Sequence, residues 1–517
     1  MNKSKTSLKN KSLYGRAVRS GRGKLKGLLI ILLAILPWIA FAYLHTIYAF
    51  AVTGALIFSF AVSLLTCIYV LSTNKNSQSK AVWIIFLLVC FTFGYVVFWL
   101  SDERIFFKKN KKRYTAVYRQ SEEFLLENKI EFSSVAVKQN AEFLYSTGKF
   151  VAYNSTDCKY FPSGESFFDD VIERIKQAKK FMFLEFFILS DGLLLDRILE
   201  ILSQKVKEGV DVRIIYDDLG SARAFSLSTK EKIKKSGIQL KAFNKMFPVF
   251  SVALNYRDHR KIIVIDGQTA YTGGCNLADE YINQKRLHGY WKDSGVRIDG
   301  NAVDGFTIIF LRQWEVLSKV REDYSPFFNL YIPTQNKFTV IPYADGLDYS
   351  HPIARGVYEN MIISANEYLY ISTPYFIVDD GITNLLMNKA LSGVDVRLVL
   401  PAIPDKKFVY GVSRSNAEKL IEYGVKVYVF NDTFVHSKLL LTETAVAIGS
   451  VNMDLRSYYQ QFESSIYTDD HKVCTDVKDD FNNMFNSSTL ITKETMLRKN
   501  VFYRLIVGLM QVFSPFM

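Results

Sequence analysis

Apolar residues are concentrated near the N-terminus in three long runs. These runs extend from Gly27 to about Tyr43, from Ala49 to Leu71 and from Ala81 to Leu100. Each approaches or reaches the roughly 20 residues that a helix needs to cross the hydrocarbon core of a bilayer. Three such runs in succession favour membrane helices over the buried helices of a soluble core. A cleaved signal peptide fits the first run poorly, because no small-x-small cleavage site follows it.

Basic residues flank the apolar runs and bear on topology. Residues 1–26 hold nine Lys or Arg and no acid, the loop at 73–80 contains Lys75 and Lys80, and Arg104–Arg113 is strongly basic. By the positive-inside rule each of these stretches prefers the cytoplasm, which three full crossings cannot satisfy. We therefore expect a multi-pass membrane protein with two to three spans or a hairpin. The catalytic region is expected on the cytoplasmic face.

The C-terminus carries a second membrane signal at helical spacing. The apolar positions that fall on one side of this helix are Val501, Leu505, Leu509, Val512 and Phe516. Arg498, Lys499 and Arg504 make its start positive. The pattern predicts an amphipathic helix at the lipid boundary. A helix packed on the enzyme core is the alternative.

The rest of the chain shows an internal duplication. Gly209-Val-Asp-Val-Arg213 recurs as Gly393-Val-Asp-Val-Arg397, and the stretch 237–244 resembles 424–431 at nearly the same offset. In each copy the pentapeptide opens an apolar run that is typical of a buried strand, and a helical pattern precedes it. Alternating strands and helices predict an α/β fold, with sheets covered by helices on both faces.

These patterns predict six segments along the chain. They are a basic tail (1–26), a transmembrane helical region (27–100), a helical linker (101–150), two α/β domains (151–330 and 331–497) and the C-terminal amphipathic helix (498–517).

Charge and cysteine usage narrow the class of partner. The net charge of +13 indicates an anionic partner, either nucleic acid or an acidic membrane surface. Much of this charge lies beside the apolar runs, where polybasic clusters hold anionic lipid headgroups. The five cysteines show no C-x-x-C spacing, so neither a disulfide framework nor a zinc site is predicted.

Two of the six histidines stand in matching frames. Each frame has a His, a Lys two positions later, and an acid five positions after the Lys. An Asn follows at nearly the same interval in both copies. The first frame consists of His259, Lys261, Asp266 and Asn276, and the second consists of His436, Lys438, Glu443 and Asn452. Strand alternation places the His and the Lys on one face. A Gly turn before the Asn returns it to the same end.

Two such units packed together would form a site for a phosphodiester anion. The lysines and asparagines can donate hydrogen bonds to phosphate oxygens and stabilise the more highly charged transition state. One imidazole can attack phosphorus, and the other can protonate the leaving alcohol. This chemistry needs no metal and no cofactor.

Each histidine also needs an acid to fix its tautomer. The candidates lie downstream of the two frames, at Asp293 and Glu463. The acidic pairs 217–218 and 379–380 could suggest a metal site. Their positions after predicted strands instead favour solvated loop ends.

The two histidine frames resemble the duplicated His-x-Lys-x4-Asp signature of the phospholipase D superfamily over roughly residues 150–497. The stretches 255–259 and 452–457 resemble bacterial cardiolipin synthases in particular, as do the paired N-terminal apolar runs and the terminal Ser514-Pro515. The resemblance implies two phospholipase D-like α-β-α units, related by a pseudo-twofold axis, behind a transmembrane region.

The same resemblance implies the reaction and the residue roles. Two phosphatidylglycerol molecules would give cardiolipin and glycerol, with His259 as nucleophile and His436 as general acid and base. Glu463 would orient His259 and Asp293 would orient His436, across the pseudo-twofold. Glu443 departs from the Asp that is usual in the family. The implied partners are phosphatidylglycerol and anionic membrane lipids, with no nucleic acid.

Alternatives remain open from the sequence. A phospholipase D-type hydrolase or nuclease would transfer the same group to water, and another phosphatidyltransferase would use a different acceptor alcohol. A catalytically inactive membrane scaffold is a third hypothesis, against which the intact histidines argue. The sequence also leaves a homo-oligomer open.

Overall fold

The chain forms two compact units, residues 1–101 and residues 102–517. The computed structural model describes residues 32, 35–73, 75–101, 103–125, 130–245, 256–346, 349, 351–494 and 501–512. The basic tail at 1–26 lies outside the described residues. The six-segment division stays a prediction.

The first unit is helical. Its elements are α1 (Ile35–Ile47), α2 (Ala49–Ser72), α3 (Ser77–Val89) and α4 (Gly94–Ser101). Of the described helices, the 24-residue α2 is the one long and apolar enough to cross a membrane. Helices α2 and α3 form a hairpin, in which the Ser63 hydroxyl donates a hydrogen bond to the Leu87 carbonyl at 2.7 Å.

The apolar run at 81–100 forms two short helices, and the choice between two to three spans and a hairpin stays a prediction. The backbone leaves the helical region at Cys90 (φ −107°, ψ 39°), which splits the run into the 13-residue α3 and the 8-residue α4. Because an α-helix rises by only about 1.5 Å per residue, neither piece reaches across a hydrocarbon core.

The second unit begins with the stretch expected to be a linker. It forms helices α5 (Glu103–Ser121) and α6 (Val135–Gly148), with a 3₁₀ turn at Glu122–Phe124 between them. The Tyr114 hydroxyl donates to Gln313 at 2.9 Å, and Arg312 donates to the Ser121 hydroxyl at 2.7 Å. The stretch is therefore helical, and it is built into the core of the second unit.

The first half of the duplicated region follows. Its elements are β1 (Thr156–Phe161), α7 (Gly164–Lys176), β2 (Phe181–Phe186), α8 (Leu193–Lys207), β3 (Asp211–Asp217), α9 (Asp218–Ser221), α10 (Leu227–Lys235), β4 (Gln239–Phe243), β5 (Arg257–Asp258), β6 (Lys261–Ile265), β7 (Thr269–Gly273), β8 (Tyr290–Lys292), β9 (Gly295–Gly300) and α11 (Val303–Ser318). Two 3₁₀ turns lie at Asp279–Ile282 and Ser325–Phe327.

The second half follows the same plan. Its elements are β10 (Val340–Asp345), α12 (Ile353–Ser364), β11 (Tyr368–Ser372), β12 (Phe376–Ile377), α13 (Asp380–Leu391), β13 (Asp395–Pro401), α14 (Lys407–Ile421), β14 (Lys426–Phe430), β15 (Thr433–Val435), β16 (Leu439–Thr442), β17 (Val446–Gly449), β18 (Met453–Asp454), α15 (Leu455–Gln460), β19 (Gln461–Thr468), α16 (His471–Asn486), β20 (Ser488–Ile491) and α17 (Val501–Val512).

Each half contributes one mixed sheet with the same strand order. The first sheet runs β1-β9-β7-β6-β2-β3-β4, and the second runs β10-β19-β17-β16-β11-β13-β14 before adding β20. The parallel and antiparallel pairings also correspond strand for strand. The α/β prediction is confirmed. The pseudo-twofold relation between the halves stays a prediction.

The repeated pentapeptide has one local structure in both halves. Gly209 (φ 91°) and Gly393 (φ 92°) adopt left-handed backbone conformations that other residues rarely take. Strands β3 and β13 begin at the third position of the repeat, and in each strand the Arg at the fifth position pairs with the Asp at the third, at 2.8 and 2.6 Å. The repeat therefore encodes the turn that feeds each parallel strand.

Buried side chains of both sheets belong to one continuous core. Phe183, Ile262 and Val296 of the first half share this cluster with Ile448 and Ile466 of the second. The two halves are therefore packed together within one unit, which fixes the strand ends that carry the predicted site.

The C-terminal helix α17 has one packed side and one exposed side. Val507 is 8% exposed and packs with Ile377 and Val412, whereas Leu505 and Leu509 are 66% and 60% exposed. The helix thus packs on the enzyme and still presents apolar residues outward. Residues 495–500 and 513–517 lie outside the described residues, and binding of the predicted segment to a membrane stays a prediction.

Candidate active site

A short strand from each half positions each histidine beside the other half. Strand β5 pairs in parallel with the start of β19, with Asp258 opposite Phe462. The His259 backbone N–H continues the pairing by donating to the Phe462 carbonyl at 2.8 Å. The next residue along β19 is Glu463, so this register brings the second half's acid to the first half's histidine.

The reciprocal pairing holds the second histidine. Strand β15 pairs in parallel with β8, with Val435 opposite Lys292. The His436 backbone N–H donates to the Lys292 carbonyl at 2.7 Å. Asp293, which follows β8 in the first half, thereby lies beside His436.

The His259 Nδ1 hydrogen bonds to the Glu463 carboxylate at 2.9 Å. Glu463 is fully buried and also accepts hydrogen bonds from the hydroxyls of Ser450 and Ser457. Burial raises the pKa of Glu463 to about 7, although Lys261 and the two hydroxyls oppose this rise. The carboxylate is therefore held in place by three donors.

The His436 Nδ1 lies 2.6 Å from the Asp293 carboxylate. Asp293 also accepts from the Ser294 backbone N–H at 2.8 Å. Burial alone would raise the pKa of Asp293, but the charge of Lys438 and the hydrogen bonds from His436 and the Ser294 N–H hold the pKa below its usual value. In both pairs the carboxylate fixes the proton on Nδ1, which leaves Nε2 for chemistry.

Both imidazoles are poised in the neutral form. Burial, together with the positive charges of Lys261 and Lys438, lowers the pKa of His259 well below its usual value. Burial and Lys438 lower the pKa of His436 to about 3, and Asp293 only partly offsets them. A neutral imidazole is the form that can act as a nucleophile or accept a proton.

The two motif lysines lie beneath the histidines. The Lys261 ammonium donates to the His259 carbonyl at 2.6 Å, and Lys438 makes the same contact with the His436 carbonyl. Burial lowers the pKa of Lys261 to about 7 and the pKa of Lys438 to about 8. Two buried ammonium groups make this site strongly favourable for an anion.

Both histidines line one cavity of about 250 Å³. Asn276 and Asn452 line the same cavity. The Asn276 oxygen accepts from the Ile188 backbone N–H at 3.0 Å, and its amide nitrogen donates to the Tyr281 hydroxyl at 2.6 Å. The structure thus brings together the His and Asn residues of the two frames.

The acids of the two frames lie elsewhere. Asp266 follows the far end of β6 and accepts from three backbone N–H groups, those of Lys179, Lys180 and Phe181, at 2.7, 2.7 and 2.9 Å. Glu443 makes the corresponding contact with the Asn366 backbone N–H at 2.8 Å. Neither acid lines the cavity, and each contacts backbone N–H groups near a strand start instead. Their grouping with the catalytic residues stays a prediction.

Several cavity residues were missed by the sequence analysis. Tyr375 and Lys406 line the cavity, and the Tyr375 hydroxyl donates to Asp405 at 2.5 Å. Asp454 and Arg456 complete this side. A usable signal was their placement soon after β11, β13 and β17, since ligands of α/β sheets bind at strand ends.

The expectation of a solvated loop end at Asp217 is wrong. Its side chain is fully buried and pairs with the equally buried Arg257 at 2.7 Å. It also accepts from the Asp258 backbone N–H at 2.9 Å, next to His259. Asp217 therefore anchors β5. Among the described residues, no group of three or more His, Cys, Asp or Glu side chains is arranged to hold a metal ion.

Comparisons with known proteins agree with the duplicated organisation. The family model described as "Cardiolipin synthase, PLD-like domain" matches twice, at residues 171–289 and 358–485. A cardiolipin synthase of Staphylococcus aureus strain Mu50 is 30% identical over 457 residues, which cover 86% of this chain and 92% of the relative. A cardiolipin synthase of Alkalihalophilus pseudofirmus is 35% identical over 367 residues, covering 70% of this chain and 72% of the relative.

A solved structure shares the fold. The phosphatidylserine synthase of Haemophilus influenzae Rd KW20 superposes with a TM-score of 0.56 at 16% identity, covering 73% of this chain and 97% of its own. At this level of identity the likeness concerns the fold.

Proposed function

Because the chain belongs to the cardiolipin synthase family of phospholipase D-like phosphatidyltransferases, we propose that it transfers a phosphatidyl group from one phosphatidylglycerol to another, giving cardiolipin and glycerol. One observation carries the proposal. Two imidazoles line a single cavity, and each is hydrogen bonded to a carboxylate from the opposite half.

In the first step, the His259 Nε2 attacks the phosphorus of the donor lipid. A P–N bond forms and the P–O bond to the terminal glycerol breaks, leaving a phosphatidylhistidine. His436 gives its Nε2 proton to the departing glycerol oxygen. Lys261 and Lys438 stabilise the charge that develops on the phosphate oxygens, and the Asn276 and Asn452 side chains bound the phosphate position.

In the second step, His436 takes the proton back from a hydroxyl of the second phosphatidylglycerol. That oxygen attacks phosphorus, the P–N bond breaks, and neutral His259 is regenerated. Atoms and protons balance over the two steps, and each histidine returns to its starting form.

The pKa shifts of the carboxylates beside His259 and His436 support these roles, with His259 as nucleophile and His436 as general acid. Burial raises the pKa of Glu463 beside His259, whereas the pKa of Asp293 beside His436 is held below its usual value. An ionised Asp293 stabilises a protonated His436 more than a carboxylate of raised pKa would stabilise a protonated His259. A bound phosphodiester anion offsets the lysine charges, which raises the pKa of His436 toward the range of a general acid.

Transfer to an alcohol requires that water be kept from the phosphohistidine. Aromatic rings surround the two histidines: Phe187 is 5.0 Å from His259, and Trp291, Tyr281 and Phe434 are 5.2, 5.5 and 5.8 Å from His436. These rings support transfer over hydrolysis, because apolar surface beside the histidines disfavours a bound water there.

We also propose that the protein is multi-pass, with the catalytic unit on the cytoplasmic face. The apolar α2 supplies one crossing, and the apolar run from Gly27 to about Tyr43, which overlaps α1, is the second crossing that we propose. The basic stretch at 104–113 supports the cytoplasmic assignment by the positive-inside rule.

The test is turnover of labelled phosphatidylglycerol by the detergent-solubilised full chain, in the presence of excess EDTA. The lipid products are resolved for the unaltered protein and for the His259→Ala and His436→Ala variants. Cardiolipin with an equal amount of glycerol, formed despite the chelator and lost in both variants, is the expected result.

Other outcomes contradict specific parts of the proposal. Phosphatidic acid without cardiolipin would identify water as the acceptor and the protein as a hydrolase. Activity that survives in the His259→Ala variant would overturn the phosphohistidine route.

A further inference from the structure

Several exposed apolar residues lie next to residues that line the active-site cavity. Lys406 directly precedes helix α14, which begins with Lys407 and Phe408, and all three residues are exposed. Lys406 lines the cavity, as does Val409 one turn on. Phe408 is 68% exposed, although a phenylalanine at this position could have packed inward. The start of α14 therefore presents two cations and an apolar ring beside the cavity.

The first half contributes a similar triplet. Lys285, Arg286 and Leu287 are exposed in succession, with Leu287 57% exposed. The following His288 has its ring 6.0 Å from the ring of Phe434, which lines the cavity. Each half thus has two cations and an exposed apolar side chain beside a residue that lines the cavity or contacts its lining.

Helix α17 extends the apolar surface from the second half. Val507 and Met510 pack on α14 with Val409 and Val412, and Gln511 donates to Asn416 at 3.0 Å. Because side chains two positions apart on a helix point in nearly opposite directions, Leu505 and Leu509 lie on the side opposite Val507. The helix is therefore held to the enzyme by one side and shows its apolar residues outward.

The position of this apolar surface next to the cavity indicates what binds to it. A phospholipid whose phosphate reaches the histidines has acyl chains that must leave through the mouth, and these chains belong to a bilayer. The paired cations complement the anionic headgroups of such a bilayer. A helix with one protein-bound side and one apolar side matches an interfacial helix.

We propose that Leu287, Phe408, Leu505 and Leu509, with their neighbouring cations, form a membrane-docking surface that seats the mouth of the cavity on an anionic phospholipid leaflet. The inference rests on the proposed function for its choice of lipid. It adds the surface through which the substrate enters.

The test is depth-dependent fluorescence quenching in the full chain, reconstituted in bilayers of phosphatidylglycerol and phosphatidylcholine. Phe408→Cys and Leu505→Cys are each labelled with an environment-sensitive dye, and lipids with spin labels along the acyl chain act as quenchers. Leu391→Cys is the matched control, because Leu391 is also 66% exposed but lies at the opposite end of the sheet, just before β13. The unaltered chain sets the background from its own cysteines.

Quenching at 408 and 505 but not at 391, stronger when phosphatidylglycerol is present, is the expected result. Absence of quenching at 408 and 505, or equal quenching at all three positions, would overturn the proposal. Energy transfer between labelled copies in place of lipid quenching would also overturn it, in favour of self-association. None of these readouts requires turnover, so they are independent of the proposed reaction.

An activity measurement separates docking from chemistry. Leu505→Asp with Leu509→Asp is expected to raise the KM for bilayer phosphatidylglycerol about tenfold or more, because two apolar contacts with the bilayer are lost. The kcat on a monomeric short-chain phosphatidylglycerol is expected to stay unchanged, and Leu391→Asp should alter neither value. An equal loss on both substrates would contradict docking.

Discussion

The Nδ1 atom of His259 lies 2.9 Å from the carboxylate of Glu463, 204 residues further along the chain. The matching bond joins His436 to Asp293, so each half supplies a histidine to its own strand end and a carboxylate to the other half's histidine. Neither half alone contains a histidine with a fixed tautomer. The site therefore exists only when the two halves are packed together, which explains why they share one core.

Replacing Glu463 with Gln tests the first pair. The amide keeps the size of the side chain but removes the charge and offers His259 a group that can hold either tautomer. We expect turnover to fall roughly 100- to 10,000-fold, the range over which removal of an orienting carboxylate affects a catalytic histidine. The measurement is the initial rate of phosphatidylglycerol consumption. Glu443→Gln is the matched control, since Glu443 lies outside the cavity, and an equal loss in both variants would contradict the orienting role.

The division of roles between the histidines predicts selective rescue by a good leaving group. A phosphatidyl ester of p-nitrophenol departs without protonation, so the first step no longer needs a general acid. We expect His436→Ala to release p-nitrophenol in a burst of about one equivalent and to accumulate phosphatidylhistidine, whereas His259→Ala should show no burst. The products are followed by absorbance and by acid-quenched labelled protein. A burst in His259→Ala instead would reverse the assignment.

Gly274 leaves the space that the Asp293 side chain needs to bond to His436. A Cβ at Gly274 would overlap Oδ1 of Asp293, a contact that cannot form without movement. Asp293 is fully buried and bonded to His436 and the Ser294 N–H, so it can move only by giving up these bonds. Gly274→Ala should therefore lower activity about 100-fold or more. Gly54→Ala, where a Cβ meets no atom within 4 Å, is the control. Normal activity in folded Gly274→Ala protein would contradict this role of Asp293.

The repeated parts of the molecule could be predicted from the sequence. The two histidine frames and the Gly-Val-Asp-Val-Arg pentapeptide recur, because each encodes a strand end or a turn with its own local physics. The acids at 293 and 463 could be found by residue type, but their partners came only from the family resemblance. The strands that join them, β5 and β15, are two and three residues long, too short for a periodic pattern to indicate.

Other features depended on tertiary contacts that no local pattern carries. The apolar run at 81–100 has the length of a span, but its backbone breaks at Cys90. Asp217 ends a strand, where a solvated side chain would be ordinary, yet it forms a fully buried ion pair with Arg257, 40 residues further along the chain. Ser450 and Ser457 hold Glu463 in the fold, although nothing near them in the sequence points to that carboxylate.

We expect Glu443 to contribute to the stability of the fold and not to the reaction itself. It accepts from the backbone N–H groups of Asn366 and Glu367 at 2.8 and 3.4 Å, where Asp266 of the first half accepts from three such groups at 2.9 Å or less. Glu443→Ala should therefore lower the free energy of unfolding by about 1 kcal/mol, while activity per folded molecule stays within about twofold. Asp266→Ala should cost more, because three backbone donors lose their acceptor. Thermal unfolding together with rates normalised to folded protein gives both values. Loss of activity at full stability in Glu443→Ala would return this acid to the catalytic residues.

Because Lys261 and Lys438 are buried, we expect the site to take up protons when an anion binds. Burial lowers the pKa of Lys261 to about 7 and of Lys438 to about 8, so both lose charge in the empty site as the pH rises through these values. A bound phosphodiester favours the charged form and raises both pKa values, so protons must be taken up from about pH 7 to 9. The pKa of His436 rises on binding as well, so the difference in uptake between the unaltered protein and Lys261→Met isolates the part that belongs to this lysine. Calorimetry of dimethyl phosphate binding in buffers of different ionisation enthalpy measures the uptake, since the charge of this ligand is constant across the range.

Lys261→Met should reduce the uptake and weaken binding most at the lower pH, where that lysine is still charged in the empty site. Proton release, or uptake that Lys261→Met leaves unchanged, would mean that these lysines do not hold the phosphate charge.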